Sequence, residues 1–158
     1  MPPIAAAPEI RRAMLEVEVF GADLAPDAPP PAQVRRLCAL AVAAVGIEDG
    51  HLAIEYVDEK RIAQLNAEYR GKEGPTDVLS FPIDGAALHE GVTPHGGVTE
   101  HGGPERELGD VVICPEHTLD LCEAIVHGVL HLVGFDHEAD SGEMLALQAE
   151  LLADWRSR

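Results

Sequence analysis

The stretch from residue 127 to residue 137 reads His127-Gly-Val-Leu-His131-Leu-Val-Gly134-Phe-Asp-His137, and its histidine spacing decides which fold and site to expect. His127 and His131 are four residues apart, so on a helix both imidazoles leave the same face, one turn apart. Gly134 can end that helix in a left-handed conformation that most side chains avoid, and the chain can then bring His137 back to the same point. Three imidazoles suit zinc, and three protein ligands leave a fourth position for water, as in catalytic zinc sites. The sequence therefore predicts a metal-dependent hydrolase with these three histidines as ligands.

The same stretch matches the metzincin protease motif His-Glu-x-x-His-x-x-Gly-x-x-His at every position except the glutamate, which is Gly128 here. That glutamate is the general base of those proteases, so its absence disfavours peptide hydrolysis by their route while leaving the effect of the metal on water intact. A zincin-type metallopeptidase remains the first alternative. Ordinary histidines at a helix end are the alternative without a metal, and three histidines at this spacing disfavour it.

Length and charge narrow the class of protein. The chain has 158 residues, the size of one domain, and a formal net charge of −17. This charge disfavours a protein that coats nucleic acid, and we expect no DNA partner; an enzyme acting on RNA would need its few cations near the site. The chain shows neither a signal peptide nor an apolar run that could span a bilayer, so we expect a cytoplasmic protein without membrane contact. The odd number of cysteines argues against a disulfide framework.

Periodicity along the chain predicts one domain over residues 14–158, preceded by a flexible Pro/Ala-rich tail over residues 1–13. Strands are predicted at 14–20, 52–56, 77–81 and 108–113, and helices at 31–45, 59–70 and 141–155 in addition to the histidine helix. Residues 83–107 are rich in glycine and proline and are predicted to form a surface insertion. The insertion also carries His89, His95 and His101. Their six-residue spacing does not converge on a metal in any regular element, so we expect the insertion to be dispensable for metal binding.

Three segments read together resemble one protein family. They are Asn66-Ala-Glu-Tyr-Arg70-Gly-Lys-Glu-Gly-Pro-Thr76-Asp77-Val-Leu-Ser80-Phe-Pro82, then Leu108-Gly-Asp110-Val-Val-Ile113, and the histidine stretch 127–137. In this order they are similar to the YbeY family of metal-dependent endoribonucleases, over about residues 14–155. The resemblance implies a zincin-like α+β fold with a single mixed sheet of about four strands packed with helices, and zinc on the three histidines. It further implies cleavage of single-stranded RNA in 16S rRNA 3′-end maturation and in ribosome quality control at the small subunit.

The chain departs from the family pattern in two places. The resemblance implies an additional helix between the strand that ends near Cys114 and the histidine helix, yet only twelve residues separate Cys114 from His127. That helix is therefore expected to be lost or fused. The insertion at 83–107 is also longer than the family pattern implies.

Other polar residues of these segments are candidates for the site. Arg70 stands at a predicted helix end that the next strand returns beside, so its guanidinium could hold phosphate oxygens and stabilise the charge that develops on phosphorus. A solvated arginine at a helix C-terminus is the alternative. Thr76, Asp77 and Ser80 are equally compatible with turn, cap or strand roles. Asp110 and Asp136 compete as hydrogen-bond partners of a ligand histidine.

The sequence does not decide which group acts as the general base. With Gly128 in place of the glutamate, the reaction could need no separate base, or Asp136 or Glu138 could serve. We favour Arg70 and Asp136 as the catalytic pair. A ribosome-assembly factor without catalytic activity, in which zinc is structural, is the alternative from another class of protein.

Overall fold

The computed structural model describes residues 15–83 and 106–158. Within these ranges the chain forms four strands and four helices around one sheet. The predicted tail at 1–13 lies outside the described residues, as does most of the predicted insertion at 83–107 with its three histidines. The α+β fold predicted from the sequence is confirmed.

The sheet contains the strands β1 (Leu15–Phe20), β2 (Gly50–Tyr56), β3 (Val78–Pro82) and β4 (Glu107–Ile113). Their order is β1-β2-β4-β3, with β1 and β4 parallel to β2, and β3 antiparallel to β4. β4 is an interior strand, and its apolar residues Leu108, Val111, Val112 and Ile113 are all buried, as expected of a strand covered on both faces.

The helices are α1 (Pro31–Ala43), α2 (Glu59–Arg70), α3 (Leu121–Leu132) and α4 (Glu143–Arg156). Apolar side chains of α1, α3 and α4 form one core with one face of the sheet, while α2 packs through Ile62 and Leu65 on the other face. Among the described residues, no helix has the length and apolar content needed to cross a membrane.

The segment between β4 and α3 is short. It holds only a 3-10 turn (Pro115–His117) before Asp120, whose carboxylate caps α3 by accepting a hydrogen bond from the backbone N–H of Glu123 at 3.1 Å. The additional helix that the resemblance implied is thus missing from this described segment, as the spacing indicated. α3 packs directly against the sheet and supplies seven buried residues to the core.

His51 links three neighbouring strands on the side of the sheet that bears α2. Its Nδ1 lies 2.7 Å from Glu107 Oε1 and its Nε2 lies 2.6 Å from Glu18 Oε1, which joins β2 to β4 and to β1. Burial lowers the pKa of His51, but the hydrogen bonds and the negative charges of Glu107 and Glu18 outweigh burial, so the net effect is a raised pKa. The imidazolium form is therefore favoured in the folded chain.

We expect His51 to contribute a pH-dependent part of the stability. A histidine with a raised folded-state pKa stabilises the fold fully below the unfolded-state pKa of about 6.5, and this contribution is lost as pH rises through the folded-state value. The melting temperature of His51→Gln should therefore fall below that of the unmodified chain at about pH 6, and the gap should narrow at about pH 8. Both carboxylates are partly solvated, so the effect should be about 1 kcal/mol or less. A gap that stayed constant over this range would contradict a charged His51.

Candidate metal centre

The end of α3 has the geometry that the spacing of the histidines predicted. The helix stops at Leu132, and Gly134 has φ of 102°, in the left-handed region that favours glycine. The Gly134 N–H donates to the His131 carbonyl at 3.1 Å and the Phe135 N–H donates to the Leu130 carbonyl at 3.1 Å. These two bonds form a Schellman motif, which reverses the chain and returns His137 toward the helix.

The three predicted ligands lie together. One candidate ligand atom from each of His127, His131 and His137 can be chosen so that all three atoms lie within 4.8 Å of one another. The ring centroids are 4.8, 5.1 and 5.2 Å apart. Among the described residues this is the one group of His, Cys, Asp or Glu side chains that could hold a metal ion, and it contains no cysteine.

Two of the three imidazoles are oriented by hydrogen bonds at Nδ1. His127 Nδ1 is 2.8 Å from Gln148 Oε1 on α4, and His131 Nδ1 is 2.9 Å from the Phe135 carbonyl oxygen. Nδ1–H is the donor in each case, so Nε2 is the nitrogen with a lone pair for a metal. His137 Nδ1 is buried and has no hydrogen-bond partner within the described part of the chain.

The cluster fits a metal ion by its own chemistry. Burial and the neighbouring His127 lower the pKa of His131, and His137 lowers it further; the hydrogen bond to the Phe135 carbonyl and the charge of Asp136 act in the opposite direction without reversing the net decrease. The neutral imidazole that this favours is the form that binds metals. An unpartnered, buried ring nitrogen beside two oriented imidazoles is costly without a ligand, because a buried polar atom normally has a partner. The residues therefore suit a divalent cation that prefers nitrogen ligands.

The expectation for Asp110 was wrong. Val111 faces α3, since a Cβ added to Gly128 would come within 2.3 Å of Val111 Cγ1. Successive side chains of a strand point to opposite faces of the sheet, so Asp110 lies on the face away from the histidines. Gln148 and the Phe135 carbonyl take the place at the ligand histidines for which Asp110 and Asp136 were candidates.

The histidines open into a cleft of about 650 Å³ between α3, β3 and the end of α2. Its walls contain every other residue that the sequence put forward for the reaction, namely Arg70, Thr76, Asp77, Ser80, Asp136 and Glu138, and in addition Lys72. The sequence segments around Arg70 and around the histidines are thus brought to one place, although 57 positions separate Arg70 from His127 in the numbering.

A buried asparagine holds the loop that carries Lys72, one of the two cations of the cleft. Asn66 is only 5% exposed, and its side-chain Nδ2 donates to the Gly74 carbonyl at 2.9 Å. The main-chain carbonyl of Asn66 accepts a hydrogen bond from the Lys72 N–H at 3.3 Å. The loop 71–75 is therefore tied back onto α2. Arg70, the last residue of α2, and Lys72 both reach the cleft from this region.

Gly128 packs against the sheet and faces away from the cleft. A Cβ added at Gly128 would lie 2.3 Å from Val111 Cγ1, so a larger residue there would force Val111 to move. Ser80 Oγ–H donates to the Gly128 carbonyl at 2.8 Å. A glutamate at this position, which carries the general base in metzincins, would therefore point toward β4 and not into the cleft. Ser80 lines the cleft and also fixes α3 against β3.

The two carboxylates proposed as bases lie on the loop after α3. Asp136 Oδ1 accepts a hydrogen bond from the Glu138 N–H at 3.0 Å, so this carboxylate also shapes the turn that contains His137. Both side chains are exposed at the cleft. Asp136 and Glu138 therefore both lie at the cleft of the three histidines.

Sequence reasoning missed Gln148. Met144, Leu147, Leu151 and Trp155 form an apolar stripe along α4, and Met144 and Leu151 are buried in the core. Gln148 lies on the same stripe, next to Leu147 and one turn before Leu151. A polar residue on an apolar helix face was the signal that could have identified it.

The mixed sheet with helices on both faces, and the three imidazoles presented by α3 and the loop after it, define a zincin-like α+β protein with a candidate metal centre. A model of one family, described as endoribonuclease YbeY, matches residues 31–156. The chain belongs to the YbeY family.

Three relatives are similar to this sequence over about two thirds of the chain or more. A protein named endoribonuclease YbeY from Nocardioides sp. is 39% identical over 146 residues, which cover 81% of this chain and 93% of that protein. Proteins of the same name from Salinispora tropica and Corynebacterium glutamicum are 42% and 43% identical, over 67% and 68% of this chain. The match spans 74% of the Salinispora protein and 59% of the Corynebacterium protein.

Proposed function

We propose that this protein is a zinc-dependent endoribonuclease that cleaves single-stranded RNA. We further propose that its substrate is the rRNA precursor and that it acts in 16S rRNA 3′-end maturation and in ribosome quality control at the small subunit, in the cytoplasm. Membership of the YbeY family and the names of the relatives support this function. The observation that carries it is the single cleft that unites a three-histidine cluster with Arg70 and Lys72.

Charge supports a phosphodiester substrate at this cleft. The chain has 11 lysine and arginine residues against 28 acidic residues, so most of its surface repels a polyanion. Two of the cations nevertheless line the cleft of the histidines. A bound dication would add positive charge at the same place. Because the carboxylates of Asp77, Asp136 and Glu138 also line the cleft, the attraction for RNA would come from Arg70, Lys72 and the bound dication acting together.

His127, His131 and His137 would hold the zinc ion. When bound, such an ion supplies Lewis-acid chemistry, which activates water and polarises a phosphate oxygen. Arg70 would bind the non-bridging phosphate oxygens through two parallel N–H donors and stabilise the charge that increases there as the reaction proceeds. Asp136 would take up the proton of the attacking water at its carboxylate, a role for which Glu138 is the neighbouring alternative.

The geometry favours RNA over a peptide substrate. Gly128 stands where metzincins carry their glutamate base, and a side chain at this position would be directed at Val111 and not into the cleft. Two cations in the cleft suit the anionic phosphodiester of RNA better than a neutral peptide bond. A metallopeptidase is thus the weaker candidate.

The proposed function is tested by incubating the zinc-loaded protein with a labelled single-stranded RNA, the same RNA in a duplex, a single-stranded DNA of equal sequence, and an unstructured protein. We expect cleavage of the single-stranded RNA, loss of that cleavage with a chelator, and its return when zinc is added back. Cleavage of the protein substrate with all nucleic acids left intact would support a peptidase instead. Intact RNA in the presence of fully loaded protein would contradict the proposal.

A further inference from the structure

Gln148 reaches a predicted metal ligand from a different helix. It is half-buried on α4, and its side-chain Oε1 lies 2.8 Å from Nδ1 of His127 on α3. His131 has a backbone partner instead, the Phe135 carbonyl at 2.9 Å, which comes from the turn at the end of its own helix. His127 thus depends on a side chain that could be substituted, whereas the partner of His131 belongs to the main chain.

We propose that Gln148 is a positioning residue of the metal centre: it accepts the Nδ1–H of His127, fixes that imidazole as the tautomer with a free Nε2, and aims Nε2 at the metal. This inference rests on the metal site of the proposed function. Partners of this kind set the tautomer and ring orientation of a ligand histidine and raise its basicity. Gln148 does not touch the metal or the substrate in this role.

The packing of α4 makes Gln148 a rigid support. Met144, one turn before it, is fully buried, and Leu151 and Leu152, which follow it, are buried in the same core. The start of α4 is fixed by Asp140, whose carboxylate accepts the N–H groups of Gly142 at 2.8 Å and Met144 at 3.0 Å. The Gln148 amide is therefore held in place without a metal.

The same aspartate connects α4 to the loop of the third ligand. The Asp140 N–H donates to the Asp136 carbonyl at 3.0 Å, within the turn that contains His137. α4 is thus coupled to the metal centre at two points, through Gln148 to His127 and through Asp140 to the loop of His137. This second contact is made by backbone atoms and by Asp140, so substitutions at Gln148 leave it intact.

The test compares zinc affinity among four forms of the full chain in the absence of RNA. Gln148→Leu removes the acceptor and should weaken zinc binding by about 10- to 100-fold, the range seen when such partners of metal ligands are lost. Gln148→Glu keeps an acceptor at the same reach and should bind zinc within about threefold of the unmodified chain or more tightly. Gln64→Leu is the matched control, because Gln64 is an exposed glutamine of α2 on the other face of the sheet.

Zinc affinity is measured by competition with a chelating dye, and cobalt(II) serves as a second probe because its visible spectrum reports the ligand geometry. We expect an altered cobalt spectrum for Gln148→Leu and an unchanged one for Gln64→Leu. Gln148→Met, which keeps the length of the side chain without a strong acceptor, replaces Gln148→Leu if the leucine variant does not fold. Zinc affinity and a cobalt spectrum equal to those of the unmodified chain in a folded Gln148→Leu or Gln148→Met would overturn the proposal.

Failure of this inference is distinguishable from failure of the proposed function. If the unmodified chain binds zinc but leaves RNA intact, the nuclease proposal fails while the role of Gln148 is still decided by the affinities. If RNA is cleaved with zinc and the Gln148 variants bind zinc normally, only the role of Gln148 fails.

Discussion

His131→Ala is expected to lose most of its bound zinc, from about one ion per chain to a small fraction of that after dialysis, because two imidazoles hold zinc far less well than three. His131 shares α3 with His127, and its Nδ1 lies 2.9 Å from the carbonyl oxygen of Phe135 in the turn that leads to His137. The His131→Ala substitution therefore leaves His127 and His137 as the two remaining imidazoles of the site. RNA cleavage should fall together with the metal content.

The measurement is elemental analysis of dialysed protein, together with the melting temperature in the presence of a chelator. His117→Ala is the control, because His117 is a histidine of the 3-10 turn before α3, with Glu59 as its ion-pair partner at 3.6 Å. It should keep the full zinc content. Full stoichiometry in a folded His131→Ala protein would show that the metal is held elsewhere, and the three-histidine site would have to be abandoned.

Much of this site could be predicted from the sequence because its parts are local. The distance between His127 and His131 is set by the helical period, and the return of His137 is set by the one backbone conformation that Gly134 adopts readily. Strand and helix bounds also follow from local periodicity, and the observed bounds differ from the predicted ones by at most two residues. Local rules therefore sufficed for the ligand set and the elements that carry it.

What could not be predicted depends on contacts between elements distant in the chain. Gln148 meets His127 because of the way α4 packs on α3, and Asn66 holds the loop of Lys72 because that loop folds back on α2. Asp110 was misplaced because the face to which a strand residue points is fixed by the sheet as a whole, and β4 turns Val111, not Asp110, toward α3. A shift of β4 by one residue would exchange the faces to which Val111 and Asp110 point.

Gly128 shows how the structure changes the meaning of a motif. In the sequence, Gly128 occupies the position at which the metzincin motif has its general base. In the fold it is the contact that lets α3 approach β4, since even a Cβ would meet Val111 Cγ1 at 2.3 Å. Glycine in place of the glutamate is therefore what allows α3 to pack closely on the sheet.

Arg70→Ala is expected to slow cleavage of single-stranded RNA by roughly a hundredfold, since the loss of one donor that stabilises developing charge often has an effect of this size. Arg70 ends α2, is exposed, and lines the cleft of the histidines. Because the guanidinium would bind phosphate more strongly as charge increases, the loss should appear in kcat/KM and should persist at saturating RNA. Zinc content should not change, since Arg70 is not among the ligands.

Arg61→Ala is the matched control for the loss of one positive charge. Arg61 is an exposed arginine near the start of the same helix and does not line the cleft. If Arg70 acted only through the overall attraction of RNA, both variants would slow cleavage to a similar extent, and added salt would abolish the difference from the unmodified chain. A local role predicts a large effect for Arg70→Ala and a small one for Arg61→Ala.

Arg70→Lys separates charge from geometry. Lysine keeps the positive charge but lacks the planar pair of donors, so cleavage intermediate between Arg70→Ala and the unmodified chain is expected if two-point binding of phosphate matters. The alternative for Arg70 is a solvated arginine that interacts with the helix dipole, whose removal would lower the stability by at most about 1 kcal/mol and leave cleavage nearly normal. RNA cleavage by Arg70→Ala within twofold of the unmodified chain, at equal zinc content and melting temperature, would remove Arg70 from the reaction and leave the charge on phosphorus to be stabilised by the metal centre and Lys72.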